Sequence, residues 1–305
     1  MKSVPSIIGL LFVLACAGSA AAESYTVESP DGRMKMTIHA ADRLEYSVSF
    51  KEIEILRPSP IGLQLEGEFL GRNPSLLRES RRMVDEIIRP VAPEKRSEIP
   101  NRFNELVLHF QGDYSLMARA YDDGVAYRFL TSKYGKIKIV NEHASFRFNE
   151  DDNIYYPETE SMQTSFESNY RYGRVSDIGA HQLGFLPVLV DRKDGIKIWI
   201  SEADVCDYPG MFLTGAGSNQ PALQASFPPY PLEDLQVRDR TLRVARGAGF
   251  IAETEGNRAY PWRVIVAADR DGALFENDLV YRLAPSCQIG DVSWIKPGKV
   301  AWDWW

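Results

Sequence analysis

Carboxylate side chains occur in close pairs along this chain, and two carboxyl groups are what the hydrolysis of a glycosidic bond requires. Such hydrolysis retains configuration when the groups lie about 5–5.5 Å apart and inverts it when they lie about 6.5–9.5 Å apart. Three pairs stand close in the sequence: Asp122 with Asp123, Asp151 with Asp152, and Glu158 with Glu160. All three fall in polar, turn-like stretches, and a chain with 42 Asp and Glu residues forms such pairs by chance. We therefore interpret each pair as part of a solvated loop.

The stretch YYPETESMQTSFESNYRYG, residues 155–173, is long, aromatic and acidic, and it lacks the alternation of a strand. Aromatic rings can stack on sugar faces, and carboxylates can bind sugar hydroxyls or a hard cation such as calcium. Its candidate ligands are Glu158, Glu160 and Glu167. The alternative is a surface loop whose tyrosine rings pack on the domain. From the residues alone we favour this alternative, because binding loops are a minority even among long loops.

Two further stretches carry candidate residues. NRAYPWR, residues 257–263, brings Arg258, Trp262 and Arg263 close together. Arg263 could help to hold a sugar at a domain interface, or an arginine could stack on the tryptophan inside a structural cluster. EADVCDYPGMF, residues 202–212, has carboxylates that could bind a cation, but Tyr-Pro-Gly is typical of a turn. We favour the structural interpretation in both cases.

The elements that must position these residues are mostly strands. Apolar and polar residues alternate in six stretches, at 34–38, 44–50, 105–110, 136–140, 145–149 and 196–200. Turn sequences rich in Gly and Asp recur between them, as in SPDGR at 29–33 and RKDG at 192–195. This pattern predicts an all-β fold, a large antiparallel β-sandwich, with a few short helices.

Helical spacing is scarce. Residues 75–88, SLLRESRRMVDEII, have the clearest helical pattern, and residues 273–283, ALFENDLVYRL, predict a short helix. Residues 227–234, FPPYPLED, predict a proline-rich surface loop. No stretch before about residue 285 has the composition of a linker, so one large β domain is the simplest interpretation.

The first 22 residues have the features of a secretory signal peptide. Residues 7–17 form an apolar stretch after a positive start, and the small residues Ala20 and Ala22 suit cleavage before Glu23. We therefore predict a signal peptide over residues 1–22 and an exported mature chain. No other stretch is long and apolar enough for a transmembrane segment.

Charge and cysteine usage narrow the possible partners. The net charge of −7, with no run of Lys or Arg, argues against a nucleic-acid partner.

The chain has three cysteines. Cys16 is removed with the signal peptide or, if the protein is a lipoprotein, is the lipidation site. Cys206 and Cys287 could form a disulfide in an oxidising compartment or remain free thiols. The four histidines are scattered and indicate no zinc site.

Four segments, taken together and in order, resemble glycoside hydrolase family 97. They are ARAYDDGVAYRF at 118–129, LPVLVDRKDGIKIWISEADVCDYPGMFL at 186–213, YPWRVIVAADRDGALFENDLVYRLA at 260–284 and WIKPGKVAWDWW at 294–305. The resemblance implies an exported bacterial α-glucosidase or α-galactosidase, in the periplasm or associated with the outer membrane. It also implies an N-terminal β-supersandwich, of the galactose-mutarotase-like type, followed by a catalytic (β/α)8 barrel.

The resemblance divides the chain into three parts. Residues 1–22 are the signal peptide, residues 23–290 the β-supersandwich, and residues 291–305 a linker and the first barrel strand. On this view the chain is truncated at the start of the barrel and lacks the catalytic carboxylates, so we expect no catalytic residue in it and no activity of the chain alone. The polypeptide would be the non-catalytic part of an enzyme.

The resemblance also assigns site residues. It points to Glu167, in FESNY, as a calcium ligand at the active site of the complete enzyme, although the fragment alone would not hold Ca2+ stably. Trp302, Asp303 and Trp304 would lie near an oligosaccharide or α-glycoside substrate in the complete enzyme, and Arg263 could contribute.

Two alternative functions remain open at this point. The chain could be a stand-alone carbohydrate-binding module, because its aromatic loops and β architecture permit sugar binding. A sugar epimerase would need a histidine as acid or base, for which His181 is the candidate. The sequence decides neither the sugar, glucoside or galactoside, nor the oligomeric state.

Overall fold

The computed structural model describes residues 23–93, 95–217, 220–239 and 241–302. The predicted signal peptide lies outside these residues. In chain order the strands are β1 Glu23–Glu28, β2 Met34–Ala40, β3 Leu44–Phe50, β4 Ile53–Leu65, β5 Glu68–Leu70, β6 Leu76–Ile88, β7 Ile99–Phe110, β8 Tyr114–Tyr121, β9 Gly124–Arg147, β10 Asn153–Tyr156, β11 Glu158–Thr159, β12 Arg171–Arg174, β13 Leu183–Gly184, β14 Val188–Asp191, β15 Lys197–Ala203, β16 Phe212–Gly215, β17 Ala222–Ser226, β18 Pro231–Arg238, β19 Thr241–Gly247, β20 Ala252–Ala259 and β21 Trp262–Ala268. A 3-10 turn spans Val175–Asp177, and two short helices follow the last strand, α1 Asp271–Glu276 and α2 Leu279–Leu283.

Antiparallel pairing confirms the predicted all-β fold. β1 to β4 pair in sequence as a meander, and alternate residues of β2 and β3 are buried as their apolar spacing predicts. Tyr46 of β3 packs against Tyr127 of β9, with ring centroids 4.9 Å apart, so the meander faces the sheet that contains β9. The main core is made by the apolar side chains between these strands.

β9 is the longest strand and connects the two layers of the sandwich. Its first part pairs with β8 and β21, its middle with β20, and its last part with β4 and β17. Within the pairing of β9 with β20, the register shifts between Glu255 and Asn257, where residues 133–135 of β9 lie opposite Gly256. A single strand therefore supplies backbone hydrogen bonds to five others.

A second, smaller apolar cluster lies on the outer face of the sheet formed by β7, β8, β9, β21 and β15. Trp262 is its largest member and is fully buried. Leu279 and Leu283 of α2 cover it, while Leu274 of α1 packs at its margin. The helices thus close one part of this outer face.

The predicted helix over residues 75–88 is wrong, because these residues form β6. All but one of its residues pair with β7, from Leu76 opposite Phe110 to Ile88 opposite Ile99. β6 is an edge strand with many charged side chains on both faces, so its apolar spacing does not reflect a buried helical stripe. Pairing with β7 overrides the local helical preference.

Two other predictions need refinement. The helix predicted over 273–283 is present as two short helices, interrupted at Asn277 and Asp278. The loop predicted over 227–234 is wrong from Pro231 onward, because β18 starts there and pairs with β19 as a two-stranded hairpin. Within the described residues, no helix is both long enough and apolar enough to span a membrane.

Gly215 of β16 illustrates how tightly the loops close on the sheet. A Cβ at this position would lie 1.7 Å from the carbonyl oxygen of Ile178. The Gly215 N–H also donates to the Gly179 carbonyl at 3.1 Å, which fixes the two backbones together.

We expect Gly215→Ala to lower the free energy of unfolding by about 2 kcal/mol or more, as measured by urea denaturation.

The matched control for this variant is Gly249→Ala. A Cβ at Gly249 meets no atom within 4 Å, so the same change should alter stability by less than about 0.5 kcal/mol. Equal effects of the two substitutions would contradict the close approach at Gly215.

Candidate functional site

Glu167 lies on an exposed loop that is anchored on both sides of it. The ring of Phe166 packs against Phe185, with centroids 5.3 Å apart, and also stacks near Phe212. On the other side, the Ser168 hydroxyl donates to the Glu158 carbonyl at 3.0 Å. Phe166 has a φ of +59°, so the chain turns sharply just before Glu167. The carboxylate of Glu167 is therefore presented to solvent from a fixed position.

The rival carboxylates of this loop differ in their partners. Glu158 accepts a hydrogen bond from the Gln182 amide at 3.3 Å and pairs with Arg171 at 3.4 Å. Glu167 and Glu160 make no hydrogen bond or ion pair with the described part of the chain, and both are exposed. No group of three or more His, Cys, Asp or Glu among the described residues could hold a metal ion. Glu167 fits calcium only as one ligand among several.

The interpretation of the acidic pairs as solvated loops is wrong for Asp152, which is buried and lies 3.8 Å from Arg192. Asp151 accepts hydrogen bonds from the backbone N–H and the hydroxyl of Ser176, at 3.0 and 2.8 Å. Asp123 binds the amide of Asn277 and the guanidinium of Arg282. These carboxylates hold turns and helices in place.

Arg263 is fully buried between two carboxylates in the core. Its Nε and Nη2 donate to the two oxygens of Glu142 at 2.6 and 2.7 Å, and its Nη1 donates to Glu202 at 2.7 Å. Glu202 also accepts the Met211 N–H at 3.0 Å. Each of the three guanidinium nitrogens of Arg263 thus donates to a carboxylate, and the side chain is fully buried, which favours a structural role, while direct contact of Arg263 with a sugar stays a prediction.

The electrostatics of this cluster follow from its burial. Burial raises the pKa of Glu202 above its ordinary value, and the positive charge of Arg263 opposes that rise. Burial also disfavours the charged form of Arg263, but the carboxylates of Glu142 and Glu202 outweigh it and raise the arginine pKa. The charge of Arg263 therefore offsets part of the effect of burial on the pKa of Glu202.

Trp262 is stacked by arginines, but not by its neighbours in sequence. The guanidinium carbons of Arg119 and Arg128 lie 4.8 and 4.2 Å from its ring centroid. Arg258 instead lies over Tyr208 and Tyr260. No sequence pattern links Arg119 and Arg128 to Trp262, because they come from β8 and β9, more than 130 residues before the tryptophan.

An open groove of about 750 Å³ lies on the outer face of the sheet formed by β10, β14 and β15. We name it the Tyr155 groove. Its apolar lining includes Tyr155, Tyr170, Leu189, Trp199, Leu274 and Phe275. Tyr155 also packs against Tyr172, with ring centroids 4.7 Å apart. The tyrosines of this loop are evident in the sequence, but the groove is not, because its other sides come from β14, β15 and α1.

The C-terminal candidates are described only in part. Trp302 is 74% exposed, and residues 297–302 form no strand in the structure. Asp303 and Trp304 lie outside the described residues. Cys206 and Cys287 are exposed free thiols rather than a disulfide.

Comparison with known proteins agrees with the sandwich architecture. Residues 27–285 match the family described as "Glycosyl-hydrolase 97 N-terminal". The chain belongs to this family. The match spans most of the described strands and ends just after α2.

Two curated relatives share this sequence over nearly its whole length. One, named "Retaining alpha-galactosidase" from Bacteroides thetaiotaomicron, is 37% identical over 97% of this chain and 46% of its own length. The other, "Probable retaining alpha-galactosidase" from Streptomyces bingchenggensis, is 27% identical over 96% of this chain and 43% of its own. The chain thus spans less than half the length of these relatives.

Solved structures share the fold at lower identity. A glycoside hydrolase family 97 enzyme from Pseudoalteromonas sp. strain K8, in complex with acarbose, superimposes with a TM-score of 0.77 at 24% identity. That comparison covers 90% of this chain and 40% of the enzyme. A β-arabinopyranosidase gives 0.69 at 22% identity, over 80% of this chain and 40% of that protein.

Replacement of Arg263 by methionine tests the buried charge cluster. We expect Arg263→Met to lower the free energy of unfolding by about 3–5 kcal/mol at pH 7, because two buried carboxylates lose their partner. Without the guanidinium, the pKa of Glu202 rises further, so protonation at low pH relieves the buried charge. The deficit should therefore be smaller at pH 4.5 than at pH 7 when both are measured by urea denaturation.

Arg246→Met is the matched control, because Arg246 pairs with Glu233 on the exposed hairpin. Its loss should cost less than about 1 kcal/mol at either pH. A deficit of Arg263→Met that stays the same from pH 7 to pH 4.5 would contradict the role assigned to the carboxylates.

Proposed function

We propose that this chain is the non-catalytic N-terminal β-supersandwich of an exported family 97 glycoside hydrolase. It would pack on a catalytic (β/α)8 barrel and contribute one wall, and one carboxylate, to the calcium and substrate site. The observation that carries the proposal is the family match over residues 27–285, together with a relative named retaining α-galactosidase of which the chain spans 46%.

The engagement of the acidic side chains supports a non-catalytic role. Glycoside hydrolysis needs two carboxyl groups that face one scissile bond. Asp123, Asp151 and Asp152 each lie against donors within the domain. Glu142 and Glu202 both pair with Arg263 in the core. These carboxylates stabilise the domain and are not positioned for hydrolysis.

The position of Glu167 supports a ligand role in the complete enzyme. Calcium takes six to eight oxygen ligands, so a single carboxylate completes a site rather than making one. Glu167 is exposed, held by Phe166 and Ser168 on either side, and unpaired within the described residues. When bound, calcium would supply a fixed positive charge beside the substrate.

The remaining parts of the proposal concern location and substrate. Residues 1–22 would direct export to the periplasm or the outer membrane, and residues 291–305 would form a linker and the first barrel strand. In the complete enzyme, Trp302, Asp303 and Trp304 would lie near an oligosaccharide or α-glycoside substrate. Support comes from the relatives' names and from the exposure of Trp302.

The first prediction from this proposal concerns catalysis. We expect the purified chain to release no nitrophenol from nitrophenyl α-galactoside or α-glucoside, because on this proposal the catalytic carboxyl groups lie in the barrel. The Bacteroides thetaiotaomicron relative, assayed on the galactoside, serves as the positive control. Turnover by the pure chain would overturn the non-catalytic assignment.

The second prediction concerns calcium. In a chimera that joins residues 23–290 to the remaining half of the Bacteroides thetaiotaomicron relative, Glu167→Gln should raise the calcium concentration needed for half-maximal activity about tenfold or more. The amide keeps the shape of the side chain but loses its charge. Calcium titration of hydrolysis measures the change.

Glu160→Gln is the matched control in the same chimera. Glu160 is exposed and unpaired on the same loop, but it lies outside the anchored turn. Its substitution should leave the calcium requirement unchanged. A larger effect at Glu160 than at Glu167 would contradict the assignment of the ligand role to Glu167.

A further inference from the structure

We propose that the Tyr155 groove is a binding site for a short, neutral oligosaccharide. The site belongs to this domain and would act without a catalytic barrel. It therefore goes beyond the proposed function and does not depend on it. A row of rings forms the groove floor, a polar edge lies beside it, and its walls are exposed.

The floor is a continuous apolar row across three strands. Tyr155 pairs with Leu189, and Leu189 pairs with Trp199, so their side chains lie on one face of the sheet. Ile154 and Val190, on the opposite face, are buried in the main core. The row thus presents two aromatic rings on a rigid surface, which suits the flat apolar face of a pyranose ring.

A charged pair borders this row. Asp191 and Lys197 lie opposite each other in the pairing of β14 with β15. Each lies two residues along its strand from Leu189 or Trp199, and therefore on the same face of the sheet. Two residues along a strand cover about 6.6 Å, which is close to the width of a sugar ring. The Lys197 ammonium lies 2.5 Å from Asp191 and 3.9 Å from Asp271. Donors and acceptors are therefore available together for adjacent hydroxyl groups of a sugar stacked on the floor.

The walls are aromatic and strongly exposed. Tyr170 is 44% exposed, and its hydroxyl donates to the Pro187 carbonyl at 3.2 Å, which fixes the ring at one end of the groove. Phe275 of α1, at the other end, is 82% exposed. Exposed apolar side chains that converge on one concavity mark an interaction site rather than ordinary surface.

Charge and size favour a neutral sugar. The two carboxylates and one ammonium leave the groove with a net charge of about −1, which disfavours an anionic ligand. The volume of about 750 Å³ lies within the range of about 300–1,000 Å³ that is typical of ligand pockets. A protein partner is less well matched, because lysine and aspartate are depleted at the cores of protein interfaces.

Binding to the whole chain tests the proposal. Maltotriose and raffinose are titrated by calorimetry, and the fluorescence of Trp199 is followed in parallel. We expect a dissociation constant on the order of 1 mM or lower, with weaker binding of trigalacturonate. The titrations are performed in calcium-free buffer, so that a metal site plays no part.

Groove variants locate the binding. Tyr170→Ala and Phe275→Ala should each weaken binding about fivefold or more, because each removes a stacking surface. Trp199→Phe should abolish the fluorescence change while calorimetry still detects binding. Tyr134→Ala is the matched control, since Tyr134 is fully exposed on β9 and lies outside the groove. Thermal unfolding verifies that each variant is folded.

Several outcomes would overturn the proposal. These are the absence of heat with both sugars, equal affinities in the groove variants and the wild type, or self-association that Phe275→Ala abolishes in the absence of sugar binding. The last result would assign the groove to a protein contact. The hydrolysis assay has a separate readout, so the proposed function can fail or stand independently of these results.

Discussion

The fold depends on the ability of β9 to pair with five other strands along 24 residues. Buried backbone groups must find hydrogen-bond partners, so a strand that passes between two layers must change partners without a gap. The change from β21 to β20 and then to β4 meets this requirement. Where the register of β9 and β20 shifts, Gly256 lets residues 133–135 of β9 pass closely, because a Cβ on Gly256 would lie 2.6 Å from the Lys133 carbonyl oxygen. A side chain at this position would clash with the backbone of β9.

The same strand contributes Glu142 to the buried ion cluster of Arg263. Glu142 lies near the end of β9, Arg263 on β21 and Glu202 on β15, so one guanidinium connects three strands. Burying these charges is costly, and apolar residues of similar volume would stabilise such a site equally well or better. We infer that the ion cluster favours one register of these strands, because Glu202 lies opposite Arg263 in the pairing of β15 with β21 and Glu142 of β9 meets the same guanidinium. The charges therefore select an arrangement already permitted by the apolar core.

Strands that bury one face could be predicted from local sequence patterns. Contacts between residues of distant strands could not. Alternation identified β2, β3 and β15, because each buries one face against the core. It failed for β6, where an exposed edge strand buries little on either face. From sequence, Glu167 could be singled out only through family resemblance, since nothing in the sequence of the loop separates it from Glu160. The stacking of Arg119 and Arg128 on Trp262 depends on register, which no single segment specifies.

The outer face of the sheet shows why the groove exists. Toward β21 this face is closed, because α2 buries Leu279 and the two arginines cover Trp262. Toward β10 the same face continues as Leu189 and Tyr155, but α1 reaches only its margin. The apolar row is thus longer than the helices that cover it. Apolar surface that stays exposed on a rigid sheet can still gain free energy when a ligand buries it. A ligand that presents an apolar face and a hydroxylated edge recovers that free energy while it leaves Lys197 and Asp191 hydrogen-bonded, and a pyranose ring has both features.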